Sequence, residues 1–329
     1  MPREHNTHRA ELHAHLGSSV APSILWSIAH QHGIKLPSKD YWHFEDMITM
    51  TGNERNKSLD DMHNNLFYWT ELIQSSPNAI EDSVRSVIGG GYRKCNLTIQ
   101  ELRFNPMFRN RGGEKDLDHI IVSSLWGLDR AMLEFPQVRA GIILMMDRTL
   151  TYEQNSIIVK KAVRYKDSGI IGIDLAGPQR KSFSIKKHAQ LFRQAKAAGM
   201  GTTIHTGEQG SLSEMRYVVN EIKPDRIGHG LLCVKDKKIM DSIVKQDIVL
   251  ESCPTSNIKN SVVKNAAELK KIFHAYLKNK VKFTINTDGP EMYDSNICQE
   301  QDFLVKKKIL TPADVRQCNK WAFESTFIQ

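Results

Sequence analysis

Short apolar runs alternate with longer amphipathic stretches along most of the chain. Each run is rich in aliphatic and β-branched residues and ends in polar residues or glycine, a pattern that predicts a buried strand. About eight such runs occur, at residues 9–15, 97–104, 140–146, 169–175, 201–205, 226–229, 248–252 and 282–287. Strands that alternate with helices in this way predict an α/β protein, a (β/α)8 barrel whose active site lies at the carboxyl ends of its strands.

The amphipathic stretches between the runs carry explicit helix boundaries. A Ser or Thr followed three residues later by Glu, Gln or Asp is typical of a helix N-terminus, and so is Pro at the first position. These signals occur at Ser76-Pro77, Thr151 with Gln154, Ser211 with Glu214, and Thr311-Pro312 with Asp314, while Gly169 and Gly199 suit helix ends. No repeat or low-complexity linker divides the chain, so we expect one domain over residues 1–329.

One segment does not fit a simple barrel. Residues 21–94, between the first two predicted strands, are too many for a single crossover helix, so we expect an inserted helical segment that covers the barrel mouth. Its aromatic residues either line a ligand pocket or pack the inserted helices together. They are Tyr41, Trp42, Phe44, Phe67, Tyr68 and Trp69.

Composition narrows the class of protein. Hydrophobic residues make up 40% and charged residues 25% of the 329 residues, which is close to the average of globular domains. The net charge is +8, but the lysine clusters lie far apart and resemble solvated helix faces, so we expect no nucleic-acid binding. Since there is neither an apolar run of about 20 residues nor a secretory signal, and the five cysteines are scattered, we expect a cytoplasmic protein with reduced thiols.

The candidate chemistry begins at the end of the first predicted strand. His13 and His15 are separated by one residue, and a strand alternates its side chains, so both imidazoles point to the same side and can chelate one metal ion. Such a pair alone is weak evidence, since histidine pairs are common on protein surfaces.

Three further polar clusters end predicted strands. They are His205-Thr206-Gly207-Glu208, Gly228-His229-Gly230 and Asn286-Thr287-Asp288-Gly289. With the first pair they bring imidazoles, an aspartate and a free glutamate to one face of the barrel, and zinc suits this mixed set. The alternative for each cluster alone is a hydrogen-bonded polar residue at a strand end.

Ordered motifs extend this pattern over almost the whole chain. They are Glu11-Leu12-His13-Ala14-His15-Leu16, Gly172-Ile173-Asp174-Leu175-Ala176-Gly177, His205-Thr206-Gly207-Glu208, Arg226-Ile227-Gly228-His229-Gly230, Glu251-Ser252-Cys253-Pro254-Thr255-Ser256-Asn257 and Asn286-Thr287-Asp288. In order and spacing they resemble the motifs of the adenosine deaminase family of amidohydrolases. The zinc motif of cytidine deaminases, with Pro-Cys-x-x-Cys, does not occur.

The resemblance implies a hydrolytic deaminase with one zinc ion per chain. It assigns His13, His15, His205 and Asp288 as the zinc ligands, with a water in the remaining position. His229 is then expected to orient that water, with Asp288 as a further acceptor.

The resemblance also implies two contacts with the purine ring. Glu208 matches the proton donor to the ring nitrogen beside the reacting carbon, so we expect its pKa to be raised. Gly177 matches the glycine whose backbone N–H meets another ring nitrogen, because a residue without a side chain lets the ring come close.

The first departure from the family pattern concerns the ribose end. The family usually has Asp-Gly-Ser after His-x-His-Leu, and the aspartate contacts the 5′-hydroxyl, whereas this chain has Gly17-Ser18-Ser19. Glycine leaves space without charge, and Arg109 and Arg111 follow the second predicted strand, where guanidinium groups suit phosphate oxygens. We expect either a 5′-phosphate pocket formed with Gly17, or two ordinary exposed loop arginines.

The second departure concerns the base. The family usually has a second aspartate bonded to purine N7 where this chain has Gly289. One lost hydrogen bond costs about 0.5–1.5 kcal/mol, which is small beside the barrier reductions of about 8 kcal/mol or more that enzymes achieve. Deamination should survive, with Glu291 as a candidate replacement contact or with a different ring as substrate.

These observations predict a zinc-dependent hydrolytic deaminase of an adenine nucleoside or its 5′-monophosphate, with a small-molecule purine as its partner. Two alternatives stay open. One is deamination of another amino-heterocycle, such as a pterin or another 5′-modified adenosine. The other is a nucleotide sensor or assembly subunit with little turnover on the same fold.

Overall fold

The computed structural model describes residues 7–51, 59–110 and 116–329. Its eight strands are β1 (Arg9–His15), β2 (Leu97–Phe104), β3 (Arg139–Asp147), β4 (Ile170–Ala176), β5 (Gly201–Thr206), β6 (Arg226–His229), β7 (Val249–Ser252) and β8 (Phe283–Ile285). Neighbours in sequence pair in parallel, from β1 next to β2 through to β7 next to β8. This order confirms the predicted (β/α)8 barrel.

The predicted strand limits agree closely with those in the structure, and the largest difference lies at the last strand. β1, β2 and β6 have the predicted bounds, while β8 is three residues long instead of the predicted 282–287. Beyond β8 the barrel closes through single contacts. Leu12 N donates to the Asn286 side chain (3.1 Å), and His15 N donates to the carbonyl of Asp288 (2.8 Å). A side chain and an isolated bridge therefore replace the regular ladder at this seam.

Helices separate the strands. They are α1 (Pro22–Gln31), α2 (Tyr41–Ile48), α3 (Leu59–Ile73), α4 (Pro77–Cys95), α5 (Leu117–Glu134), α6 (Tyr152–Arg164), α7 (Ile185–Ala197), α8 (Leu212–Tyr217), α9 (Lys237–Lys245), α10 (Pro254–Lys259), α11 (Ala266–Lys278), α12 (Ile297–Lys306) and α13 (Pro312–Ser325). No helix in the described ranges is both long enough and apolar enough to cross a membrane.

The predicted helix boundaries are confirmed by local hydrogen bonds. The Ser76 and Ser211 hydroxyls accept backbone N–H groups of α4 and α8, and Thr151 forms a reciprocal capping box with Gln154 at α6. Thr311 caps α13 in the same reciprocal way, with Asp314 as its partner. These side chains satisfy backbone donors that would otherwise have no partner at a helix N-terminus.

The segment between β1 and β2 contains α1, α2 and α3 ahead of α4. Phe67 of α3 lines the cavity at the carboxyl face of the barrel. Phe44 of α2 is fully buried and packs on Trp26 of α1, with ring centroids 5.4 Å apart. Trp42 and Tyr68 are exposed. Both expected roles of the aromatic residues therefore occur, pocket lining at Phe67 and helix packing at Phe44.

Charged residues fill the barrel interior below the carboxyl face. In β2, Glu101 and Arg103 are fully buried at alternate positions. Arg226 of β6 is buried as well and donates to Glu101 and to Glu251 of β7. Buried charges of this kind need partners, because an isolated one would be too costly to desolvate.

Candidate active site

Four histidines and an aspartate converge at the carboxyl ends of β1, β5, β6 and β8. The His15 Nε2 atom lies 3.2 Å from His205 Nε2 and 3.3 Å from Asp288 Oδ1, and the ring centroids of His13 and His15 are 5.3 Å apart. Both imidazoles of the predicted pair therefore point to one side. The His229 ring centroid lies 5.1 Å from that of His13.

Backbone geometry brings these side chains together. A Cβ at Gly228 would lie 3.1 Å from atoms of both the His13 and His205 rings, so the absence of a side chain there makes room for the cluster. His229 and Asp288 have φ values of +63° and +65°. This left-handed conformation costs a non-glycine residue about 1–2 kcal/mol, and such strain is typical of functional sites.

Each of four site residues is held by a hydrogen bond on the side away from the cluster. The pairs are His13 Nδ1 with Glu251 Oε2 (2.6 Å), His205 Nδ1 with Asp174 Oδ1 (3.1 Å), His229 Nδ1 with Asn257 Nδ2 (2.9 Å), and Asp288 Oδ2 with Ser256 Oγ. Arg103 joins two of these partners, because it donates to both Asp174 and Glu251. Such partners fix the orientation of metal-binding side chains.

The cluster fits a divalent metal ion. His13 Nε2 is buried and has no hydrogen-bond partner within the part of the chain that the structure describes. Buried ring nitrogens normally have a hydrogen-bond partner, so the lone pair of this atom is available to bind a metal ion. Nitrogen and oxygen atoms of His13, His15 and Asp288 lie within 4.8 Å of one another, as do those of His13, His205 and His229. Mixed imidazole and carboxylate ligands suit zinc.

Burial favours the neutral form of three of the four imidazoles. It lowers the pKa of His13 and His15 well below the usual range, and it lowers the pKa of His229 to about 4. At His205 the adjacent Asp174 carboxylate outweighs the effect of burial and raises the pKa. Neutral imidazole is the form that binds a metal ion. The Asn257 amide donates to His229 Nδ1, so the proton of this ring is on Nε2, which faces the Glu208 carboxyl at 3.7 Å.

A cavity opens beside the cluster. Its described lining residues include Phe67, Glu71, Arg148, Gly177, Glu208 and Asn260. Burial raises the pKa of Glu208, and the charges of His205 and Arg148 offset only part of this effect. Glu208 therefore keeps its proton to a higher pH than an exposed glutamate.

Gly177 lines the same cavity in a conformation that suits glycine alone. Its φ is +88°, and a Cβ there would lie 2.3 Å from the Asp147 carboxylate. A side chain at this position would be strained and would collide with β3.

Three residues of the predicted substrate site lie outside the described cavity lining, namely Gly17, Arg109 and Gly289. A Cβ at Gly289 would lie 2.5 Å from Ser18 Oγ, so the Ser18 side chain occupies the space that a larger residue 289 would need. Arg111 lies outside the described residues.

Arg109 is not an exposed loop residue, so the alternative of two ordinary exposed loop arginines is wrong for Arg109. Arg109 is only 1% exposed, because it follows β2 into the space beneath α3, and it pairs there with Glu71 (3.3 Å). Glu291 is not brought to the cluster either. It pairs with Lys94 (2.5 Å) and lines a separate cavity.

Sequence reasoning did not single out Glu71, Arg148 or Asn260 as cavity residues, and it assigned no role to Arg103. One sequence signal for the buried charges was available, since Glu101 and Arg103 occupy alternate positions of β2 and therefore share a face. Glu71 and Asn260 reach the cavity from α3 and from the residue after α10, and helix periodicity does not reveal such placement.

An eight-stranded parallel barrel with an imidazole and carboxylate cluster at the carboxyl ends of its strands has the architecture of a (β/α)8-barrel enzyme, whose active site lies at that face. The family model described as adenosine deaminase matches residues 8–329, so the chain belongs to the adenosine deaminase family. It is a hydrolase that acts on carbon–nitrogen bonds.

Individual relatives agree with this assignment. The chain is 28% identical to an adenosine deaminase from Clostridium kluyveri over 321 residues, which cover 97% of this chain and 89% of the relative. Among solved structures, an adenine deaminase from Arthrobacter aurescens has a TM-score of 0.84 at 20% identity and covers 98% of this chain and 94% of its own. An N6-mAMP deaminase from Arabidopsis has a TM-score of 0.84 at 22% identity, with 100% and 96% covered. The two structures share the fold.

Proposed function

We propose that this protein is a zinc-dependent hydrolytic deaminase that converts an adenine nucleoside or its 5′-monophosphate to the inosine form and releases ammonia. The observation that carries the proposal is the buried Glu208 carboxyl, 3.7 Å from His229 on the wall of a cavity that His15, His205 and Asp288 also line. A set of metal-binding side chains alone suits many hydrolytic reactions. A protonated carboxyl beside it suits a reaction in which a ring nitrogen gains a proton.

His13, His15, His205 and Asp288 would hold one zinc ion. When bound, zinc supplies a water whose pKa is lowered to about 7. The neutral state of His13 and His15 and the hydrogen bonds behind His13 and His205 support this role, because they prepare the lone pairs for a cation.

The remaining residues orient the reactants and move protons. His229 orients the attacking water, and the Asp288 carboxylate is a further acceptor beside it. Protonated Glu208 donates to the ring nitrogen next to the amino-bearing carbon, so that this carbon accepts the water oxygen. The amino group gains one proton of the water and leaves as ammonia, and the second proton of the water restores protonated Glu208. An oxo group has then replaced the amino group. The Gly177 backbone N–H contacts another ring nitrogen.

The relatives support an adenine-type substrate, because one is an adenosine deaminase and two others are an adenine deaminase and an N6-mAMP deaminase. The 5′-monophosphate is a distinct candidate substrate. The observation that favours it is Gly17, which stands where the family usually has a carboxylate that would repel phosphate.

The test is ammonia release by the zinc-loaded protein with adenosine, deoxyadenosine, AMP and dAMP measured side by side. We expect turnover of at least one substrate and a loss of about 10²–10⁴-fold in Glu208→Ala, the usual contribution of a general acid. Glu134→Ala is the matched control, since Glu134 forms a surface ion pair with Arg85, and it should retain full activity.

Each negative result has a distinct meaning. If the zinc-loaded protein released no ammonia from any of the four substrates, adenine deamination would be contradicted. That result would favour another amino-heterocycle as substrate, such as a pterin, or a nucleotide sensor. Full activity of Glu208→Ala would contradict its role as proton donor.

A further inference from the structure

Gly17 stands at the position where the family resemblance implies the contact with the ribose 5′-hydroxyl. A Cβ at Gly17 would lie 3.2 Å from the Phe67 ring and 3.3 Å from Arg109 Nη2. These contacts are tight for a Cβ, so the space into which a longer side chain at residue 17 would extend is taken by an aromatic ring and a guanidinium group. The aspartate that the family usually has here would require both neighbours to move.

The guanidinium group is itself committed to a carboxylate. Arg109 Nη1 lies 3.3 Å from Glu71 Oε1, and the two side chains are 2% and 6% exposed. The Arg109 guanidinium also lies over the Phe104 ring, 5.8 Å from its centroid. Buried arginine with an aromatic ring and a carboxylate around it is held in one orientation.

The carboxylate of this pair is the group that reaches the cavity. Glu71 lines the cavity together with Phe67, Glu208 and Asp288, whereas Arg109 stands behind it. An ionised carboxylate has about four acceptor positions, so it can accept a hydroxyl proton while it remains paired with arginine. The same negative charge would repel a phosphate group in this partly desolvated place.

We propose that Glu71 recognises the 5′-hydroxyl of the substrate, in place of the family's aspartate, and that Arg109 is the positioning residue that holds Glu71. This inference rests on the proposed function and sharpens it. Of the two substrate classes in the proposed function, it selects the nucleoside with a free 5′-hydroxyl over the 5′-monophosphate that Gly17 alone would favour.

The test compares kcat/KM for adenosine, 5′-deoxyadenosine and AMP in the zinc-loaded wild type and in two variants. In the wild type we expect adenosine to exceed 5′-deoxyadenosine by about 10- to 100-fold, the range expected for a hydrogen bond to a charged group. Glu71→Gln should reduce this ratio and raise the relative rate with AMP. A double variant, Glu71→Met with Arg109→Met, should bring the ratio close to one without leaving a buried unpaired charge.

The comparison is insensitive to partial misfolding, since the ratio of two substrates is measured on one preparation. Glu81→Gln is the matched control, because Glu81 pairs with Arg130 (2.8 Å) away from the cavity and should leave the ratios unchanged. A wild type that prefers AMP, or an unchanged adenosine to 5′-deoxyadenosine ratio in both variants, would overturn the role of Glu71 while deamination stands. No turnover of any of the three substrates would overturn the proposed function and this inference together.

Discussion

At the residue scale, Gly177 combines a positive φ with a crowded Cβ position, and mutation can separate the two effects. Gly177→Ala introduces a Cβ at φ +88° and within 2.3 Å of the Asp147 carboxylate, on the wall of the cavity. We expect kcat/KM to fall by about 100-fold, because displacement of this backbone would shift the ring contact by a large part of an ångström. The measurement is ammonia release at saturating zinc, together with the zinc content of the purified variant.

Gly199 provides the control for backbone strain. Gly199 has φ +78°, and nothing lies within 4 Å of the position of its Cβ. Gly199→Ala should therefore lose stability without loss of activity per folded molecule. Equal activity of Gly177→Ala and Gly199→Ala would show that crowding at Gly177 does not affect the reaction.

The residues of the cluster were predictable because each lies in a short motif at the end of a recognisable strand. His13 and His15 follow from strand alternation alone. The relation between Ser18 and Gly289 was not predictable, because it joins residues from opposite ends of the chain. A Cβ at Gly289 would lie 2.5 Å from the Ser18 hydroxyl oxygen, so the two departures from the family pattern share one volume.

At the scale of elements, helix starts and most strand limits follow from local chemistry. Capping side chains such as Thr151 and Thr311 act within one turn, so their sequence signals are complete. β8 is shorter than predicted because the Asn286 side chain, and not a backbone ladder, accepts the N–H of Leu12. The position of α3 over the cavity depends on tertiary packing, which no local pattern encodes.

Glu300 in α12 gives an element-scale prediction. It is fully buried and accepts hydrogen bonds from Ser295 Oγ (2.6 Å) and Thr255 N (3.1 Å), so it ties α12 to the start of α10. Burial raises the pKa of Glu300 from 4.5 to about 7. The folded state therefore holds its proton more tightly than the unfolded state, and stability from this group is lost as pH rises from about 4.5 to about 7.

Glu300→Gln should remove this pH dependence. Since each pKa unit corresponds to about 1.4 kcal/mol, the ionised Glu300 costs about 3 kcal/mol. Relative to the wild type, the free energy of unfolding of Glu300→Gln should rise by about that amount between pH 4 and pH 8. Urea unfolding at several pH values measures it, with Glu324→Gln as a control at an exposed position of α13. A pH-independent difference would contradict the prediction.

At the scale of the whole molecule, the C-terminal residues close the amino-terminal face of the barrel. Phe327 N donates to Glu101 Oε1 (2.7 Å), and the Arg226 guanidinium lies 3.5 Å from the centroid of the Phe327 ring. Arg226 also donates to the carbonyl of Ser325 (2.7 Å). The charged barrel interior is thus covered by residues that are remote from it in sequence.

This cover depends on glycines in the neighbouring strands. A Cβ at Gly201 of β5 would lie 2.2 Å from the Phe327 ring, and one at Gly172 of β4 would lie 2.9 Å from it. Gly201→Ala should therefore displace Phe327 and destabilise the protein by about 1–3 kcal/mol, the usual cost of overpacking. Phe327→Ala should also destabilise it, because the ring over Arg226 is lost.

The losses of stability caused by Gly201→Ala and Phe327→Ala should not add. Once the ring is gone, the new methyl group has room, so the double variant should be about as stable as Phe327→Ala alone, with a coupling energy of about 1–3 kcal/mol. Gly90→Ala is the control, because nothing lies within 4 Å of its Cβ position in α4, and it should stabilise the helix slightly. Urea unfolding of the wild type, the two single variants and the double variant measures the coupling energy. Strict additivity of the two single effects would contradict it. Activity per folded molecule should be unchanged throughout, because the imidazole and carboxylate cluster lies at the opposite ends of the same strands.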